Sequence, residues 1–133
     1  MTSSKVTQTG LSPCAGFEEM RTQIAKQRDP ELSDVEFCAS DVRFHNLIAG
    51  TAYNSVLQFF TLAMSEALQP ATNLLVFRFR EREIIADQHE RLLDALERKR
   101  ADTAIAVLVE QTRYLASKYS EAKEWRSTLY FKP

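Results

Sequence analysis

The sequence predicts an all-α protein, and three observations carry that expectation. Beyond Gly16, glycine recurs only at Gly50 and proline only at Pro30, Pro70 and Pro133, so few turns are available. Apolar residues return at spacings of three and four, the period of a helix face, and no strand pattern competes. Helix start and stop signals, among them Asp29-Pro30, Asn54, Pro70 and Asp102, fall between the apolar stretches.

Residues 1–15 are rich in Ser, Thr, Gly and Pro without apolar periodicity, which predicts a flexible leader ahead of one helical domain over 16–133. A first short helix fits Phe17 to about Gln27, with Phe17, Met20 and Ile24 on one face. Asp29-Pro30 stops it and is expected to start the second helix, because Asp caps well and Pro is tolerated in a first turn. That second helix is expected to run to about Tyr53. Asn54 or Ser55 opens a third, carrying Val56, Leu57, Phe59, Phe60, Leu62, Ala63, Met64 and Leu68, which Pro70 must break or kink. A fourth pattern spans about Ala71 to Arg98 and is long for one globular helix, so a bend is expected in its polar segment FREREI. A fifth begins near Asp102, a plausible N-cap, and runs through Ile105, Leu108 and Leu115 to about Ala122. Trp125, Leu129 and Phe131 predict that the tail docks on the body, and Tyr53, Phe59, Phe60, Phe77 and Trp125 are expected in the core.

With 133 residues and an apolar fraction of 44%, the chain suits one domain with one core. Its 17 Lys and Arg against 18 Asp and Glu leave a net charge of -1. The cations are spread out, so the basic footprint that a phosphate backbone requires is missing and direct nucleic-acid binding is not expected. The two cysteines, Cys14 and Cys38, form no disulfide framework and suit a reducing cytoplasm. The N-terminus lacks an apolar signal region, and the longest apolar stretch, Leu74 to Phe79, is interrupted by Arg78. Neither secretion nor membrane insertion is expected, and the expected location is cytoplasmic.

Polar residues interrupt three apolar stripes. On the second helix, Phe37, Asp41, His45, Ile48 and Ala52 share one face. On the fourth, His89 interrupts Ile85, Leu92 and Leu96; on the fifth, Gln111 interrupts Ala104, Leu108 and Leu115. Burying such groups without partners costs on the order of 1–3 kcal/mol each, so a stable bundle should bring them together or give them water, a ligand or a metal. An Asp and two His offer oxygen and imidazole donors suited to a divalent transition metal, and Asp-x3-His sets two of them one turn apart. The alternative is a core network in which both histidines hydrogen-bond to Asp41 or to carbonyls.

The segment DVRFHNLIAGTAYNSVL resembles the signature of the FCD domain, the effector-binding domain of one GntR subfamily of bacterial transcription regulators, through Asp41, Phe44, His45, Ile48, Ala52 and Asn54. Downstream, His89, Leu92, Leu93, Ala95, Leu96, Ala104 and Leu108 are similar to the family's second block. The resemblance implies an antiparallel helical bundle over about residues 17 to 120. It further implies a divalent metal (Zn, Ni or Mn) on Asp41, His45, His89 and, at the fourth position, Gln111, tethering a small carboxylate effector. Gln is a weak neutral ligand where the family has His, and other members bind effector without metal. Lys99-Arg100 stand where the family usually has Gly-Asp. The family's winged helix-turn-helix has no room before Phe17, so the chain looks truncated, and the apolar groove left by a missing first helix predicts a homodimer or helix exchange.

Arg78 is the first candidate for gripping an effector carboxylate, since Arg80 and Arg82 lie among Glu81 and Glu83 and fit a solvated ion-paired face. Asn54 either lines the pocket or caps the third helix. The expected function is effector sensing and dimerisation in a transcriptional regulator, not enzymatic. The alternatives are a metal-free structural bundle and, from another class, a non-haem metal enzyme, since two His and a carboxylate also make a facial triad.

Overall fold

The computed structural model describes residues 13–67 and 79–130, and all regular structure among them is helical. The helices are α1 (Pro13–Gln27), α2 (Asp34–Thr51), α3 (Ser55–Ala67), α4 (Arg82–Glu97) and α5 (Ala101–Tyr130). The helices lie side by side: α1 packs on α2 and α4, α3 on α2 and α5, and α4 on α5. None of them is long and apolar enough to cross a membrane.

Local chemistry sets the boundaries, and several differ from the sequence expectation. α1 begins at Pro13 and so takes in the last three residues of what reads as leader by composition, because Pro is well tolerated at the first helical position. The expected leader residues before it lie outside the described residues. Asp29-Pro30 does not open α2. Asp29 instead closes a turn, its Oδ1 accepting from Glu31 N at 2.9 Å and its carbonyl from Leu32 N at 3.1 Å. The N-cap is Ser33, whose hydroxyl oxygen accepts from Glu36 N at 3.1 Å, an arrangement close to a capping box.

α2 ends at Thr51, short of Tyr53. Asn54 then caps α3, its Oδ1 accepting from Val56 N at 2.9 Å and Leu57 N at 3.1 Å. The expected break at Pro70 lies outside the described residues. In FREREI, Phe79 to Glu81 are not helical and α4 starts only at Arg82, while the expected helical stretch from Ala71 to Arg78 lies outside the described residues. Asp102 falls inside the first turn of α5, which continues past Ala122 to Tyr130.

α4 ends in a Schellman motif. Arg100 N reaches Ala95 O at 2.8 Å and Lys99 N reaches Leu96 O at 3.1 Å, which forces Lys99 to φ 55°.

The core joins Met20 and Ile24 of α1, Phe44, Leu47 and Ile48 of α2, Leu57 of α3, Leu92 and Leu96 of α4, and Ala104 and Leu108 of α5. Fully buried aromatics such as Phe37 and Phe44 each contribute on the order of 2–3 kcal/mol of apolar burial. Where α1 crosses the end of α2, Gly16 is required: a Cβ there would collide with Thr51 Cγ2, and Thr51 is held by its hydroxyl donating to Leu47 O at 3.0 Å. The expected core places of Tyr53, Phe59 and Phe60 are not found. α3 turns Leu57 and Thr61 inward, which leaves the ring of Phe59 71% exposed and those of Tyr53 and Phe60 partly so. Phe77 lies outside the described residues. Trp125 is half exposed and meets Phe79 edge-on, with ring centroids 6.3 Å apart.

Candidate metal and effector site

The i,i+4 spacing on α2 aligns Asp41 and His45, and α4 brings His89 against them. All three side chains are at most 2% exposed. Asp41 Oδ1 lies 3.4 Å from His45 Nε2 and 3.3 Å from His89 Nε2. Their metal-ligating atoms all fall within 4.8 Å of one another. Phe44 forms one wall, stacked on the His89 ring at 4.1 Å between centroids and edge-on to His45 at 5.8 Å.

The other carboxylate oxygen is taken by a cation. Arg80, immediately before α4, is buried and donates from Nη1 to Asp41 Oδ2 at 2.7 Å. Its Nε and Nη2 are buried without a hydrogen-bond partner, the Cys38 thiol being the polar group alongside. Burial opposes ionisation of Asp41, but His45 and Arg80 beside it outweigh that and hold the carboxyl well below the usual carboxylate range. Burial dominates at His89 and pushes its pKa down to about 4, so its ring is neutral at physiological pH. Burial likewise pushes the Cys38 thiol up.

The tautomer of His89 follows from what lies behind it. Gln27 of α1 donates from Nε2 to Ser40 Oγ at 3.0 Å, and the Ser40 hydroxyl donates to Gln23 O at 3.3 Å. Gln27 Oε1 therefore faces His89 Nδ1, 2.6 Å away, a contact that is a hydrogen bond when Nδ1 carries the ring proton. In that tautomer Nε2 is a lone pair turned toward the Asp41 carboxylate, and Nε2 has no hydrogen-bond partner.

Two buried acceptors 3.3 Å apart require a cation between them or a proton. The residue types suit a divalent metal, and the two separations from Asp41 Oδ1, 3.3 and 3.4 Å, match the edge of a tetrahedron whose ligand bonds are about 2.1 Å, the length Zn makes to imidazole and carboxylate. Gln111, on α5, is also buried and its Oε1 lacks a partner.

The profile of the FCD domain matches residues 11–113. The chain belongs to the FCD domain family. FCD domains are the effector-binding domains of GntR-family regulators, which makes this a regulatory effector-binding domain and fits a non-catalytic role. No curated protein and no solved structure matches it.

For this FCD domain, the structure brings together Asp41, His45 and His89 as the sequence predicts. Asn54 has its side-chain oxygen committed to the α3 cap, and Arg78 lies outside the described residues. Arg80 is the correction. It is buried against Asp41, whereas Arg82 pairs with Asp34 at the surface and fits the expected solvated face. Gln27 and Ser40 were also missed. A signal existed, since Met20, Gln23, Ile24 and Gln27 form a stripe of α1 interrupted by amides in the same way that Asp41 interrupts α2.

Proposed function

We propose that this domain senses a small organic acid through a divalent metal held by Asp41, His45 and His89, with Gln111 as a fourth side chain. The observation that carries the reading is the convergence of an ionised carboxylate and two imidazoles in a closed interior, with the His89 lone pair unpartnered. A bound metal would supply the Lewis acidity that tethers an effector carboxylate. Arg80 steadies Asp41 through Oδ2, which leaves Oδ1 for the ligating side, and its two remaining donor positions suit an anionic oxygen of the effector. An effector contact from Asn54 rests with its amide nitrogen.

The residues at the centre are shut off from solvent, so effector entry requires helices to part. Binding then favours one packing of the bundle over another, and in a regulator carrying a DNA-binding part that difference in affinity is what is transmitted. Homodimerisation belongs to the same reading and is supported by the apolar outer face of α3, where Val56, Phe59 and Leu62 are exposed.

One observation favours a metal-free variant of this function: Arg80 already neutralises Asp41. Elemental analysis separates the two forms. Isothermal titration of the zinc-loaded and the metal-free protein with a broad panel of mono- and dicarboxylates tests both. A dissociation constant in the micromolar range for at least one acid is expected, weakened about 10–100-fold in Arg80→Lys by loss of a bidentate charged contact. Failure of every acid to bind either form would end the proposal.

A further inference from the structure

Behind the ligating side chains runs a chain of hydrogen bonds with a definite direction. The Ser40 hydroxyl donates to Gln23 O, Gln27 Nε2 donates to Ser40 Oγ, and Gln27 Oε1, an oxygen that can only accept, lies 2.6 Å from His89 Nδ1. Gln27 and His89 are buried, and Ser40 nearly so. A primary amide has a donor end and an acceptor end, so whichever end Ser40 takes decides which end His89 meets. His89 is thereby the only link whose far side opens onto Asp41. From this geometry we infer that Gln27, oriented by Ser40, is a positioning residue that selects the Nδ1-protonated tautomer of His89 and so aims the Nε2 lone pair at the ligating side. The assignment to a metal centre rests on the function proposed above; the tautomer itself does not.

The reversed chain defines the rival. With the Gln27 amide turned over, Ser40 would donate to Gln27 Oε1, Gln27 Nε2 would donate to His89 Nδ1, and His89 Nε2–H would donate to Asp41. That arrangement satisfies every group and holds no place for a metal. The geometry disfavours it in two ways: Ser40 Oγ lies within reach of Gln23 O, and His89 Nε2 is not aligned on Asp41 Oδ1 for a hydrogen bond.

Two measurements keep the inference separable from the metal reading. Nitrogen-15 spectra of the metal-free protein at neutral pH, assigned with a His89→Gln variant, report which ring nitrogen carries the proton, because the bare nitrogen resonates far downfield of the protonated one. Nδ1–H is expected in the wild type and in Gln27→Glu, whose carboxylate still accepts from Nδ1. Gln27→Leu is expected to shift the ring to Nε2–H or to a mixture. Zinc titration against a competing chelator should then show affinity lost about 10–100-fold in Gln27→Leu and kept within a few-fold in Gln27→Glu, the range found for removing second-sphere partners of metal ligands. Nε2–H in the wild type, or a Gln27→Leu spectrum indistinguishable from wild type, overturns the inference. If the wild type binds no zinc but shows Nδ1–H that Gln27→Leu abolishes, the metal reading falls and the positioning role of Gln27 stands.

Discussion

In the unfolded chain His89 takes up a proton near pH 6.5, whereas in the folded bundle burial delays this to about pH 4. Its folded pKa is depressed, so between those values the unfolded state binds more protons and stability falls as the pH falls. For a fully buried imidazole that difference corresponds to up to about 3 kcal/mol. Asp41, also depressed, adds a further loss below the ordinary carboxylate range. Urea unfolding of the metal-free protein across pH 7 to 4 should show this slope, and His89→Leu should flatten it; equal slopes in the two proteins would contradict the burial argument. Arg80 gives a second test. Removing one partner of a buried ion pair strands the other, so Arg80→Met should cost about 3–5 kcal/mol in chemical denaturation. Adding Asp41→Leu to it should recover much of that loss, whereas simple additivity of the two substitutions would show that the pair is not coupled. The Arg28 guanidinium, bridging to Glu83, Asp87 and Glu90 at the surface, makes more ion pairs than Arg80, yet its removal should cost less than about 1 kcal/mol because water already screens them.

Helix ends carry the next set of consequences. Lys99 adopts a left-handed conformation that costs a residue with a Cβ roughly 1 kcal/mol and costs glycine little. Lys99→Gly should therefore raise stability by up to about 1 kcal/mol, read as a higher midpoint in thermal unfolding. The same position is where the family usually has glycine, so the geometry supplies the reason for that usage. Gly16 works the other way. Gly16→Ala gains about 1 kcal/mol of helix propensity but must displace Thr51, and overpacking of this kind costs about 1–3 kcal/mol. A net loss is expected, with Thr51→Ser restoring stability because it deletes the colliding methyl and keeps the hydroxyl bond to Leu47 O. Element existence was legible in the sequence because apolar spacing alone sets which face is buried. Boundaries were less so: Asp29-Pro30 carries the residues of a helix start, yet the Asp29 side chain is spent on a turn and the cap falls to Ser33. The buried trio of Asp41, His45 and His89 was legible as polar breaks in apolar stripes. Arg80 was not, because one Arg of an alternating stretch of Arg78, Arg80, Glu81, Arg82 and Glu83 looks the same in sequence whether it is drawn inward by one buried carboxylate or left in water.

Across the whole molecule, Trp125 is the sole tryptophan and lies far along α5, yet its ring touches Phe79. Its emission should change in wavelength or intensity when a carboxylate effector binds, and that change should be absent in Phe79→Ala. A spectrum unmoved at saturating effector would show that binding stays local. The expectation comes from three consecutive residues. Phe79 meets Trp125, Arg80 grips Asp41, and Glu81 N donates to Tyr114 Oη at 2.8 Å. This tripeptide is a yoke between the interior charge and a rod about 45 Å long. Anything that draws the guanidinium off its carboxylate slackens the harness on α5 in the same movement, and a rod of that length converts a tilt of about 10° near its middle into several ångströms of travel at its tip.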